Sequence, residues 1–171
     1  MPGVRRRINR RSFSYSYEVM EDRAIFTVKH ATHGLFKVVT DLDGLEMIIK
    51  DGRRLSVTKR DNSFYVRIGR AYLHRFLTNA PPGKEVDHRN HDTLDNRAAN
   101  LRVCTGRENR QNRRGAQRNS RSGVRGVWFV ASKNKWVVQV LHKSQGYYNT
   151  LEEAEAVARE VRARLMTHSN N

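Results

Sequence analysis

Apolar residues in this chain come in short bursts whose spacing changes along its length. Ala24-Ile25-Phe26-Thr27-Val28 and Leu35-Phe36-Lys37-Val38-Val39 are rich in β-branched and aromatic residues and predict strands. Leu55-Ser56-Val57-Thr58 and Phe64-Tyr65-Val66-Arg67-Ile68 flank the polar run Lys59-Arg60-Asp61-Asn62-Ser63, which predicts a β-hairpin. Residues 41–48 read as a loop or a short helix. Ala71 to Leu77 reads as two helical turns, stopped by Pro81-Pro82-Gly83. Glu85 to Arg89 and Leu101 to Cys104 are short extended pieces around a loop of Asn, Asp, Arg and small residues. Thr105-x-x-Glu108 has the form of a capping box, opening a helix expected to run to about Gly115.

The last third has a different rhythm. Val124 to Phe129, Lys135 to His142 and Gly146 to Asn149 predict three strands. A second capping box, Thr150-x-x-Glu153, opens a closing helix in which Ala154, Val157, Ala158, Val161 and Leu165 recur at helical spacing. In the middle strand, Trp136, Val138 and Val140 have the parity of a helix-facing core, and Lys135, Val137, Gln139 and Leu141 face outward.

The expected class is α+β, and the expected division is a basic tail (1–16), a β-rich region (17–80), a compact centre (81–115), a basic linker (116–123) and a sheet-plus-helix domain (124–168). A hydrophobic share of 37%, against roughly 45–50% for ordinary globular domains, favours small modules over one large core. No internal repeat is visible.

Charge narrows the function. With 33 Lys and Arg against 17 Asp and Glu, the net charge is +16. Such a field attracts polyanions: nucleic acid is the expected partner, and an anionic membrane surface is the competing polyanion. The sequence shows no long apolar run and no apolar segment of signal type behind the basic start, so no membrane association and a cytoplasmic location are expected. Cys104 is the single cysteine, which excludes an internal disulfide and a Cys-rich zinc site.

The centre carries the chemistry. Hydrolysis of a phosphodiester needs a base for water and a cation for the charge on the phosphoryl oxygens. His88 is the natural base, because imidazole titrates near working pH. Asp87 beside it is a hard oxygen ligand, and Asn109, one turn into the capped helix, is a second. Two oxygen donors without thiolate favour magnesium or manganese. Asn100 is expected to pin the loop and fix the tautomer of His88.

Asp87-His88, Asn100 and Asn109, with Val86-Asp87-His88, Leu94-Asp95-Asn96-Arg97 and Asn100-Leu101-Arg102, resemble the ββα-metal site of HNH endonucleases, nearest the phage-type homing enzymes. The resemblance implies that His88 is the general base, that Asn100 orients it, and that Asp87 and Asn109 bind the metal. Asn96 then shapes the loop. His74-Arg75 resembles a recurrent position ahead of the site, for which packing and phosphate contact are both open. Asn109 stands where many members have a final His, which argues against zinc or nickel. His91 reads as solvent-facing; His30, His33, His142 and His168 have no partner pattern.

Residues 121–167 resemble the Apetala-type DNA-binding domain, a three-stranded sheet backed by a helix. This rests on Gly123-Val124-Arg125-Gly126-Val127, Lys135-Trp136-Val137-Val138-Gln139-Val140 and Tyr147-Tyr148-Asn149-Thr150. It implies an open sheet face in the major groove of DNA, with Arg125, Trp128, Lys133, Lys135, Gln139 and His142 as contacts. The expected function is a site-selective, metal-dependent double-stranded DNA endonuclease of homing type, acting as a monomer or weak dimer and leaving 5′-phosphate and 3′-hydroxyl ends. A sequence-specific regulator with a vestigial site and a structural basic RNA-packing protein are the alternatives.

Overall fold

The computed structural model describes residues 4–6, 15–113 and 115–169. The chain divides into two compact units, Met1–Gly106 and Arg107–Asn171.

The first unit holds two larger antiparallel sheets and a two-stranded ladder. One runs β1 (Val4–Arg6), β2 (Tyr15–Val19), β3 (Ala24–His30) and β4 (Gly34–Thr40) in that order. The other runs β5 (Leu55–Arg60), β6 (Ser63–Ile68) and β7 (Ala71–Tyr72). Alternation puts Ala24, Phe26 and Val28 of β3 fully inside, where they meet Val38, Ile48, Leu55, Val66, Ile68 and Leu73 in one core. Part of the expected basic tail is therefore sheet: Val4–Arg6 pairs with β2, Val4 opposite Val19, and Tyr15 and Ser16 belong to β2. The remainder of that expectation lies outside the described residues.

Between the sheets, the ambiguous stretch after Thr40 is helix α1 (Leu42–Asp51). Its N-cap decides the matter. Asp41 accepts the Gly44 amide at 2.8 Å through Oδ1, and Gly52 closes the helix in the left-handed region. α2 (Leu73–Thr78) follows β7 and buries Leu73 and His74.

β8 (Glu85–His88) and β9 (Leu101–Cys104) form a two-stranded antiparallel ladder that sets Asp87 opposite Arg102 and His88 opposite Leu101. The expected boundary near residue 80 is absent, because the loop between these strands is bonded to the first two sheets. Asn96 donates its amide to Val39 O (2.7 Å), Val39 donates to Leu94 O (2.9 Å), and Leu94 packs against the core. Asp41 Oδ2 accepts the Ala98 amide at 2.7 Å, so one carboxylate both caps α1 and holds this loop.

The second unit begins within a helix shorter than expected. α3 spans only Gly106–Asn109 and passes into a 3-10 turn over Arg110–Asn112. The run Gly-Arg-Glu-Asn-Arg-Gln-Asn-Arg offers no apolar stripe, and a helix without a face to bury is poorly supported. Beyond it, β10 (Val127–Val130), β11 (Lys135–Val140) and β12 (Lys143–Tyr148) form the three-stranded antiparallel sheet, backed by α4 (Leu151–Leu165). The Thr150–Glu153 capping box is present in full. Val127, Val138, Val140, Ala154, Ala158, Val161 and Met166 make a second core.

Two parity expectations change here. Leu141 lies past the end of β11 with φ 49° and packs against the core rather than outward. Val137 does occupy the face away from α4, but it is buried, directly between Trp128 and Tyr147 in the sheet register.

Candidate functional site

Asp87 and His88 are neighbours on β8, so their side chains leave opposite faces of the ladder, and both are buried. Asp87 faces its cross-strand partner: its Oδ2 accepts a hydrogen bond from the Arg102 guanidinium in a buried ion pair. His88 enters an aromatic stack. Its ring meets His74 edge-on at 5.1 Å between centroids, His74 lies flat on Tyr72 at 5.4 Å, and Tyr65 sits 6.4 Å from His88.

These surroundings set the protonation of both imidazoles. Burial pushes His88 below the ordinary imidazole range. The Asn96 carboxamide first, and then the carboxylates of Asp87, Asp92 and Asp95, offset part of that shift. Asn96 Oδ1 lies outside strict hydrogen-bond geometry, so its contact with the ring is a loose polar one. His74 is pushed down to about 4 by burial, helped by the neighbouring His88 and Arg75. Both rings are therefore neutral at neutral pH. A neutral imidazole can accept a proton, which a general base must do.

The loop that frames the site is held by its own polar residues. Asn100 Oδ1 accepts the Asn90 amide (3.0 Å), and its Nδ2 donates to Asp95 O (2.7 Å). Asp95 takes two 2.8 Å bonds from Arg97 and one of 3.0 Å from Asn90 Nδ2. Asn100 thus pins the loop, as expected. Both of those bonds go to the loop, and the amide side chain beside the imidazole is that of Asn96, which the sequence suggests only for loop shape. Asn96 is fully buried at 1% exposure.

His74 and Arg75 resolve toward packing. Arg75 donates to Lys84 O (2.7 Å), Ala80 O (3.1 Å) and Pro81 O (3.1 Å), clamping the turn that leads into β8. Its guanidinium is thereby committed to carbonyls rather than phosphate. His91 is half-buried with φ 64° at the start of the loop.

Asn109 is the last residue of α3 and falls in the second unit. Asp87 is the hard oxygen donor beside His88, and its carboxylate is engaged by the Arg102 guanidinium; the lone thiol, Cys104, is buried on β9. Among the described residues no group of three or more His, Cys, Asp or Glu gathers as a metal cluster.

In the second unit the candidate contacts separate. Trp128 is 44% exposed on the sheet face away from α4, and Lys133 Nζ sits 4.0 Å over the ring of Tyr147 on that same face. Tyr147 was not among the sequence candidates, although its position directly across from Val137 places it beside them. Lys135 and Gln139 have the same outward parity, and His142 is exposed at the β11–β12 turn with φ 65°. Trp136 lies on the other face with Phe129 (5.2 Å). Arg125 is corrected: it donates to Arg110 O (2.9 Å), Gln111 O (2.8 Å) and Arg113 O (3.0 Å). Those carbonyls close the 3-10 turn and occupy the fork that a guanine edge would need.

A family model described as HNH endonuclease matches residues 76–111, from Phe76 in α2 through Gln111. The matched stretch contains Asp87, His88, Asn96, Asn100 and Asn109. It supports a nuclease of the hydrolase kind acting on DNA, and HNH nucleases generally work with a divalent metal. No curated protein and no solved structure matches the chain. Among the described residues, no helix is long and apolar enough to cross a membrane.

Proposed function

We propose that this protein is a site-selective, divalent-metal DNA endonuclease of the phage homing type, with Asp87-His88 on a ββα-metal site and an Apetala-type sheet as its DNA reader. The single observation that carries the reading is His88: a buried imidazole held between His74 and a polar loop, one residue from a buried carboxylate.

Asp87 would hold magnesium or manganese, and Asn109 is assigned as its companion by sequence resemblance alone. Bound there, the ion supplies neutralisation of phosphoryl charge and of the departing oxygen. His88 takes a proton from water, whose oxygen bonds to phosphorus as the bond to the 3′ oxygen breaks. The products are a 5′-phosphate and a 3′-hydroxyl. Asn96 and His74 orient the base, and Asn100 keeps the loop in register. In the second unit Trp128, Lys133, Lys135, Gln139 and His142 are the proposed DNA contacts, joined by Tyr147 and without Arg125.

Incubating end-labelled duplex DNA with the protein and magnesium tests this. Nicks that DNA ligase can reseal are expected, and chelator should abolish them. Specific binding with no metal-dependent cutting on any substrate would instead favour a DNA-binding regulator.

A further inference from the structure

The first unit carries a polar surface beside the two imidazoles, on residues outside the stretch that matches the HNH model. In the β5–β6–β7 sheet, Leu55, Val57, Val66 and Ile68 belong to the core. The alternate positions share the opposite face: Ser56, Thr58 and Arg60 on β5, Tyr65 and Arg67 on β6, and Tyr72 on β7. The register sets Thr58 opposite Tyr65, and Arg67 between Ser56 and Tyr72.

This face runs into the candidate site. The Tyr65 ring lies 5.9 Å from that of His74 and 6.4 Å from that of His88, and Tyr72 is stacked on His74. A DNA strand whose phosphate reaches His88 therefore meets the edge of the sheet.

Antiparallel sheets commonly turn one polar face to water, so polarity alone assigns nothing. Charge and free donors do. The face has two guanidinium groups and no carboxylate. Arginine and the hydroxyls of Ser, Thr and Tyr are also the side chains that commonly hold backbone phosphate oxygens. Arg60 is exposed, and among the described residues neither its guanidinium nor the half-buried Tyr65 hydroxyl has a hydrogen-bond partner or is shut away from solvent. Arg67 is oriented rather than used up. Its Cζ stands 5.2 Å over the Tyr72 ring and its Nη2 donates to Arg70 O, which leaves Nε and Nη1 for a second acceptor.

We propose that this face binds the backbone of the duplex DNA being cut, with Arg60, Tyr65 and Arg67 donating to phosphate oxygens that flank the one at His88. The proposal rests on the nuclease reading for its partner, and it gives the β-rich region a part in holding substrate.

The test measures binding of the full chain to duplex DNA across a salt series, with chelator present throughout. Arg60→Gln and Arg67→Gln should each reduce the magnitude of the slope of log K against log salt by about 0.9. Lys37→Gln removes a charge from the outward face of the other sheet, where Lys37 pairs with Thr27, and should leave the slope unchanged. Tyr65→Phe keeps the ring against His74 and His88 and should weaken binding roughly twofold to tenfold, as for loss of one hydrogen bond. Arg60→Gln is decisive, because that side chain bonds to no described residue and its loss leaves the fold intact. An unchanged slope for Arg60→Gln overturns the proposal. So does an equal fall for Lys37→Gln, which would reduce the effect to diffuse charge. No readout here requires cleavage. Flat slopes would leave the His88 assignment standing, and a failure of that assignment would leave these slopes as they are.

Discussion

His74 and His88 are buried bases, and that gives a pH dependence with a definite sign. The folded His74 imidazole titrates at about 4, whereas an unfolded histidine titrates near 6.5. Between those values the unfolded chain binds more protons, so stability should fall as pH drops from about 6.5 toward 4, by at most about 1.4 kcal/mol per pH unit for this group. His88, also lowered, adds to the same limb. Urea melts across that range should show the decline, and His74→Phe should flatten it; an unchanged slope would contradict the burial argument. The Asp87–Arg102 pair yields a second expectation. Both side chains are nearly inaccessible, so Arg102→Leu takes the guanidinium away from a buried carboxylate and should destabilise by about 3–5 kcal/mol. A loss under about 1 kcal/mol in the same melts would mean that the pair is solvated.

At this scale Asp87 and His88 stand out in the sequence as a carboxylate beside an imidazole, and the fold buries both. Arg102, Asn96 and Arg75 do not stand out. Arg102 reaches Asp87 through strand register, Asn96 reaches the imidazole through a folded loop, and Arg75 reaches carbonyls as far as Lys84. None of those distances is written in local spacing.

At the scale of elements, strands announced themselves through β-branched runs, and α4 through its capping box and apolar stripe. α3 did not: a capping-box pattern starts a helix, but only a buried face extends it, and this run has none. Arg125 misled for a related reason. Flanked by glycine and valine, it looked like a projecting contact, yet the chain returns it to the carbonyls of the 3-10 turn. Gly126 beside it has φ 77°, and a Cβ there would stand 2.4 Å from Gln139 O, which belongs to the strand it bonds. Gly126→Ala should therefore destabilise the second unit by about 1–3 kcal/mol. Loss of near-ultraviolet signal from Trp128 and Trp136 at lower temperature reports it, and an unshifted transition would argue that β10 and β11 adjust freely.

For the whole molecule, the charge of +16 points to a polyanionic partner before any motif does, while the grouping of segments into compact units was not legible. The β-rich region and the Asp87-His88 ladder were expected as separate domains, but backbone bonds from Val39 and the carboxylate of Asp41 make them one unit. Hydrophobic patterning marks cores and is silent about polar seams of that kind. Charge also predicts how binding responds to salt: log K for duplex DNA should fall by about 0.9 per unit of log salt for each phosphate contacted. A slope near zero would remove DNA as the partner.

The most direct measurement is cleavage of end-labelled duplex DNA by the intact chain and by His88→Ala, with magnesium, at equal DNA occupancy. Cleavage by the variant should be slower by roughly 100-fold or more, in keeping with loss of a general base, while its DNA affinity is unchanged. Equal cleavage rates for the two proteins would contradict the assignment of His88 as the group that activates water.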